Sequence, residues 1–393
     1  MYKHLQIFLL IAGAIIVQSC QFYKSSKLMK QGQVVAEEYM QETSFVFEKD
    51  LIIVDVVING KSYNFLFDTG ADISLLGQHI ADEIDYKVYS SSTVSAGQKK
   101  SEKKFEFVQV PTITLASVDF EETGAFIADI SHFDEIMGCR PLDGVIGNNL
   151  MRKAAWQIDY ESKEIRVSNS AANFEISDSA SEITMDARKI KSVYLDVTVD
   201  SVFRRFTFDT GCNSFISTDS TFFSRLREKN PELQYVTKTG TTGYNLHGAI
   251  IGQSYEVLAN SIDVEGVKSS NQIIALKNSK ASSLLGNPFF KHYTMTIDWD
   301  NDKLFLDSTT EFVSDSLEDF ELGFSPNYQT LKFEIINFWD DHPLDNPLSL
   351  DSEILQIDNV DVTNFKLEEL CSYWEAEKTR IKSLDTLELV VLD

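Results

Sequence analysis

Phe65-Leu66-Phe67-Asp68-Thr69-Gly70 and Phe206-Thr207-Phe208-Asp209-Thr210-Gly211 are one phrase written twice in a chain of 393 residues. Each copy is a run of β-forming residues that ends in Asp-Thr-Gly. The two aspartates lie 141 residues apart, about one domain's length. A tripeptide recurs by chance, so a true repeat must show elsewhere along the chain. Leu142-Asp143-Gly144-Val145-Ile146-Gly147-Asn148 follows the first copy and Ser283-Leu284-Leu285-Gly286-Asn287 the second, with Gly147 and Gly286 139 residues apart. Trp156-Gln157-Ile158-Asp159-Tyr160 and Met295-Thr296-Ile297-Asp298-Trp299 repeat at the same offset of 139. Three landmarks in one order define a duplicated unit.

Both units read as mainly β, because apolar residues alternate with a period near two. In the first, Leu51 to Ile58 is a strand, Asn59-Gly60 a hairpin turn and Tyr63 to Phe67 the returning strand. The second opens alike, with Val193 to Val199, a turn at Asp200-Ser201 and Phe203 to Phe208. Residues 45–168 and 183–308 form the two lobes, joined by a Ser-, Ala- and Asn-rich linker at 169–182.

The chemistry follows from the paired aspartates. Two carboxyls in one site do not both ionise cheaply, so one keeps a proton while the other stays charged. The charged partner takes a proton from a bound water, and the protonated one polarises a carbonyl. Gly70 and Gly211 allow a close backbone approach that a side chain would block. Thr69 and Thr210 each offer a hydroxyl to the opposite turn, locking the loops together.

With those residues in view, 45–308 resembles the pepsin and retropepsin class of aspartic proteases. The matching residues are Asp68-Thr69-Gly70-Ala71 with Val145-Ile146-Gly147, and Asp209-Thr210-Gly211 with Leu284-Leu285-Gly286. The resemblance implies two pseudo-symmetric retropepsin-like β-barrel lobes in one chain, like a fused retroviral dimer, with Asp68 and Asp209 as the catalytic pair. It implies that the apolar strand ending in Gly crosses beneath the catalytic loop of its own lobe. It also implies a monomeric enzyme acting on peptides or proteins without a cofactor. Cys212 stands where Ser, Thr or Ala usually follows the Gly, which predicts a weaker hydrogen bond to Asp209. Covering hairpins are expected at Val94 to Lys100, which holds only Gly97, and at Thr239-Gly240-Thr241-Thr242-Gly243-Tyr244-Asn245, where Tyr244 is a candidate to reach the cleft.

Composition narrows the alternatives. At 43% apolar and 11% aromatic the chain buries real cores. A net charge of −25 argues against nucleic acid as a partner. The six histidines are scattered without ligand spacing, and no glycine-rich phosphate loop occurs, so neither a metal nor a nucleotide is expected.

The start of the chain reads as an export signal, residues 1–20: Lys3, then a largely apolar stretch from Leu5 to Val17. Val17-Gln18-Ser19-Cys20 resembles a bacterial lipoprotein cleavage box, which implies lipidation of Cys20 and a bacterial cell-envelope location, lipid-anchored and facing the periplasm or the surface. Residues 21–44 then read as a tether, with a short helix around Val34 to Met40. Cys139, Cys212 and Cys371 are an odd, widely spaced set, which predicts buried thiols rather than a disulfide framework.

Residues 320–393 read as a small α+β domain. Leu331 to Ile336, Glu353 to Asp358 and Leu387 to Leu392 are strands, and Phe365 to Trp374 is an amphipathic helix. Glu321-Leu322-Gly323-Phe324 and Glu353-Ile354-Leu355-Gln356-Ile357-Asp358 resemble PDZ domains. The resemblance implies that backbone amides at Leu322, Gly323 and Phe324 hold a peptide's terminal carboxylate. The composite expectation is a membrane-tethered aspartic endopeptidase with a peptide-recognition domain. A catalytically silent peptide-binding envelope lipoprotein that keeps the fold is the rival, and a purely structural envelope protein a third reading.

Overall fold

The structure, a computed structural model, describes residues 30–95, 102–186, 192–245, 248–317, 322–340, 349–384 and 386–392. The expected export signal, Cys20 and Gly97 lie outside them.

The protein is mainly β, and each repeat builds the same motif. In lobe 1, Leu51–Ile58 and Lys61–Phe67 form an antiparallel hairpin. Its turn places both Asn59 (φ 50°) and Gly60 (φ 77°) in the left-handed region, the geometry that matches strand twist in a two-residue hairpin. Lys61–Phe67 then pairs in parallel with Gly144–Ile146, which pairs antiparallel with Ser74–Gly77. Lobe 2 repeats every step. Tyr194–Val199 and Val202–Phe208 form the hairpin, with Val202–Phe208 parallel to Leu284–Leu285 and Ile216–Asp219 antiparallel to it. The second turn uses Asp200 (φ 43°) and Ser201 (φ 68°) without a glycine. The Asp200 carboxylate offsets that cost by accepting the backbone N–H groups of Ser261 (2.8 Å) and Asn260 (3.2 Å).

The central strands read as nearly continuous apolar runs because both their faces are covered. Phe65, Phe67, Phe206, Phe208, Ile146 and Leu285 are all fully buried. The lobes meet in a six-stranded antiparallel sheet, three strands from each repeat: Ser181–Thr184, Lys303–Ser308, Tyr293–Asp298, Ala155–Asp159, Glu164–Ser168 and Met40–Glu48. At its middle Trp156 to Asp159 pair with Ile297 to Thr294, and Gln157 Nε2 donates to Thr296 Oγ1 at 3.0 Å. The repeated Trp156-to-Tyr160 and Met295-to-Trp299 segments are therefore the seam between the lobes.

Two segments read as connectors belong to sheets. Met40–Glu48, which begins inside the expected tether, pairs with Glu164–Ser168 and Leu51–Ile58. Gln33–Val34 pairs with Val118–Ala128, where a short helix was expected around Val34 to Met40. Ser181–Thr184, at the end of the expected linker, forms the edge of the interlobe sheet. Most side chains at the start of Met40–Glu48 are exposed and Phe45 anchors its second half in the core, so composition gives no sign of the strand before Phe45.

The C-terminal unit is α+β, as expected. Strands Leu322–Asn327, Lys332–Trp339, Glu353–Ile357 and Leu389–Leu392 pack against the helix Leu367–Lys382 around Phe333, Ile335, Ile354, Ile357, Leu370 and Ile381. The helix runs past the expected end at Trp374. It starts at Lys366, whose backbone N–H is accepted by Glu369 Oε2 at 2.9 Å.

The expectation of three buried thiols needs correction. Cys139 and Cys371 form a disulfide across 232 residues of sequence, joining lobe 1 to the C-terminal helix. No spacing rule signals such a pair. Tertiary packing makes it: Tyr328 seats on Gly138, and its backbone N–H donates to Glu135 O at 3.1 Å. Cys212 alone remains a buried thiol among the described residues.

Candidate active site

The two Asp-Thr-Gly loops meet at the centre of the molecule. Each is hung from its own lobe: Asp68 N–H donates to Ile146 O, and Asp209 N–H to Leu285 O, both at 3.0 Å. The apolar strand ending in Gly thus passes beneath the loop of its own lobe in both repeats.

Between the lobes the threonines form a reciprocal grip. Thr69 N–H donates to Thr210 Oγ1 and Thr210 N–H to Thr69 Oγ1, each at 3.0 Å. Each hydroxyl then donates across the interface, Thr69 to Phe208 O at 2.9 Å and Thr210 to Phe67 O at 2.6 Å. Both threonines are fully buried, so these four bonds exclude water. The glycines permit the next approach. A Cβ on Gly70 would strike the Asp209 carboxylate, and one on Gly211 would come within 2.5 Å of the Asp68 carboxylate carbon. Each carboxyl lies over the other loop's glycine.

The pair is not symmetric. Asp68 Oδ1 accepts the N–H groups of Gly70 (2.7 Å) and Ala71 (3.1 Å). Among the described residues Asp209 Oδ1 accepts that of Gly211 alone, at 2.9 Å. Cys212, the counterpart of Ala71, directs its Sγ–H to Ser214 O at 3.6 Å. Asp209 is also the deeper group, while Asp68 keeps partial exposure. Burial pushes both carboxyls above the ordinary range, and Asp209 further, because the charge of Asp68 faces it. The proton therefore resides on Asp209 and is shared with Asp68, whose charge the two amides stabilise. Such a pair offers a base, Asp68, and an acid, Asp209, to one bound water and one carbonyl. The buried Cys212 thiol, pushed to about 12 by burial and by Asp209, stays neutral beside them.

Two residues escaped the sequence reading of the site. Asn148 Nδ2 donates to Thr69 O and Asn287 Nδ2 to Thr210 O, both at 2.6 Å, so each braces a loop from below. The signal was present, since Asn follows Gly147 and Gly286 at the same repeat offset.

Where the second covering hairpin is expected, Tyr235–Asn245 pairs with Gly248–Ala259 as a hairpin. Its residues serve different ends. Gly240 (φ 143°) lies against the backbone of Ile336 and Asn337 in the C-terminal unit, and Gly243 (φ 151°) lies beside Lys277. Tyr244 is half-buried in the field of Glu135, Glu334 and Asp351, which with burial pushes its hydroxyl to about 12. Gly323 is crowded by the Asn337 side chain, with Leu322 opposite Phe338 in the strand register.

Comparison with known families now adds its weight. Residues 54–150 match the family model described as aspartyl protease, a span that includes Asp68, Thr69, Gly70 and Gly147. In lobe 1 the strands Leu51–Ile58, Lys61–Phe67, Gly144–Ile146, Ser74–Gly77, Val118–Ala128 and Glu102–Leu115 close into a six-strand barrel, and with it the match supports a retropepsin-like aspartic protease. No curated protein matches the chain.

Two measurements test this geometry. Thr210→Val leaves the Thr69 N–H and the Phe67 carbonyl buried without their partner, so unfolding free energy should fall by about 1–3 kcal/mol. A denaturation midpoint equal to wild type would show that the grip contributes nothing. Asp209 holds its proton more tightly folded than unfolded, so its stabilising contribution is complete below the unfolded value of 3.8 and is lost as pH climbs through the raised folded value. Asp209→Asn should thus melt close to wild type near about pH 4 and above it at about pH 8. The reverse order at the higher pH would overturn the assignment of the proton.

Proposed function

We propose that the protein is an aspartic endopeptidase that hydrolyses peptide bonds with a water activated between Asp68 and Asp209. The observation that carries this reading is the asymmetric carboxyl pair, held by reciprocal threonine hydrogen bonds. Asp68, exposed to the cleft and carrying the charge, takes a proton from the water as oxygen attacks the carbonyl carbon. Asp209 gives its proton to the carbonyl oxygen, and the pair returns one proton to the leaving amine. Both half-sites come from one polypeptide, so the working form is a monomer and no cofactor takes part.

The C-terminal unit extends the proposal to peptide recognition. Among the described residues Leu322–Asn327 pairs with Lys332–Trp339 alone, and Phe324 packs on Trp374 of the helix at 5.9 Å. Its other edge suits the addition of an extended peptide strand, with the terminal carboxylate at Leu322, Gly323 and Phe324. The apolar leader and Cys20 support an exported, lipid-anchored protein of a bacterial envelope, facing the periplasm or the surface. The Cys139–Cys371 bond suits such an oxidising compartment.

A peptide library digested by wild type, Asp68→Asn and Asp209→Asn across pH tests the chemistry. Each variant should lose on the order of 10²–10⁴-fold in activity, as expected for removing an acid–base partner. Wild-type activity should follow a bell displaced above the ordinary carboxylate range. It rises as the pair loses its first proton and falls as Asp209 loses the second. Near-wild-type cleavage by either variant would sink the mechanism, and the silent rival predicts no cleavage by any of the three. The same library with amidated C-termini tests the third unit, since equal capture of acid and amide forms excludes a carboxylate site. For the anchor, Cys20→Ala should leave the precursor unprocessed; normal maturation would remove the lipoprotein reading.

A further inference from the structure

Lys277 ends the strand Gln272–Lys277 on the face opposite the buried Ile274 and Leu276. The strand lies between Ile216–Asp219, which leads away from the Asp209 loop, and the hairpin strand Gly248–Ala259. Its side chain crosses the space between them. Nζ stands 3.4 Å from the position a Cβ would take on Gly243, so the left-handed glycine of the hairpin leaves room for the ammonium. At the other side, the charge of Lys277 acts on the Cys212 thiol, which also feels Asp209 and Asp68. The lysine thus lies against the hairpin and within electrostatic reach of the candidate catalytic loop. Tyr244, next along the hairpin strand, projects from the opposite face, as strand alternation requires.

Among the described residues no carboxylate pairs with Lys277, whereas Lys238, nearby on the hairpin, has Glu256 at 2.9 Å. Lys277 is partly buried, and burial lowers its proton affinity, so it gains from any carboxylate that arrives. The chain as a whole carries −25, which repels acidic peptides at long range. An acidic side chain is therefore favoured in this cleft only by a local cation.

We infer that Lys277 is a specificity-determining residue, whose ammonium pairs with an aspartate or glutamate side chain beside the scissile bond of the substrate. The inference rests on the peptidase reading for its substrate class. A carboxylate on one face of an extended substrate strand would meet Nζ below the hairpin, while the adjoining backbone lies over Asp68 and Asp209. Neutral or basic residues at that position would leave the ammonium unpaired.

The test uses the full chain and matched peptides that differ by Glu or Gln at each position around the cleaved bond. Wild type should favour Glu at one position by about tenfold in kcat/KM, in the range of a hydrogen bond to a charged group. Lys277→Met should bring that ratio close to one, and Lys277→Glu should reverse it in favour of Lys at the same position. A merely structural lysine would not reverse a charge preference. The same peptide pairs with the scissile amide reduced report affinity by fluorescence polarisation without needing turnover. If no peptide is cleaved but the reduced peptides keep a Glu preference that Lys277→Met abolishes, the hydrolytic reading fails and the site stands. A Glu-to-Gln ratio near one in wild type, or one unchanged in both variants, overturns the inference.

Discussion

The structure depends on four buried hydrogen bonds between Thr69 and Thr210 and the backbone of the opposite loop. They act where the lobes meet, so they convert two separate turns into one rigid platform. Without them the carboxyls would lie at the mobile ends of two strands, and like charge would drive them apart. With them the carboxyls are forced to share a proton, because neither can withdraw from the other. The glycines follow from the same constraint, since the backbone of each loop passes directly under the opposing carboxyl. Asp-Thr-Gly is thus a joint in which each residue answers to the other lobe.

That joint explains why so much of the fold was legible in sequence. Every element that supports it occurs twice, and the second copy removes the ambiguity of the first. The alternating strands before Asp68 and Asp209, the apolar strands ending at Gly147 and Gly286, and the seam around Trp156 and Ile297 all repeat at nearly one offset. Sequence reasoning failed where the backbone pairing repeats but the side-chain pattern does not: Met40–Glu48 pairs with Glu164–Ser168 as Ser181–Thr184 pairs with Lys303–Ser308. Gln41 to Ser44 are polar, so the first half of Met40–Glu48 shows no apolar alternation, while Phe45 and Phe47 anchor its second half on the core. The Cys139–Cys371 bond joins segments brought together only by tertiary packing, which no counting of cysteines reveals.

Within the site, residue types were legible but their partners were not. The repeated Asp-Thr-Gly located the pair, whereas the direction of its asymmetry needed coordinates: two amides to Asp68, one to Asp209 and a thiol turned toward Ser214. Gly240 and Gly323 were read as hairpin and carboxylate-loop glycines. Both are also required by packing, since the two approach Asn337 from different strands.

The C-terminal unit changes how the cleft can open. In a hairpin that covers a site alone, one edge is free and the tip can lift. Here residues Lys238 to Gly240 pair with Trp339 to Asn337, Asp340 N–H donates to Thr237 O at 2.8 Å, and Gln253 Nε2 donates to Asp340 Oδ2 at 2.6 Å. The hairpin of lobe 2 is thereby a strand pair in the sheet of the C-terminal unit, and that unit is bonded covalently to lobe 1 through Cys139. A closed mechanical circuit results: lobe 2 hairpin, C-terminal sheet and helix, disulfide, lobe 1, and back through the threonine joint. Lifting the hairpin alone would break strand hydrogen bonds with no compensating partner, whereas moving it with the C-terminal unit is resisted by the disulfide. The two repeats are therefore alike at their carboxyls, while the lobe 2 hairpin is held in place by the C-terminal sheet.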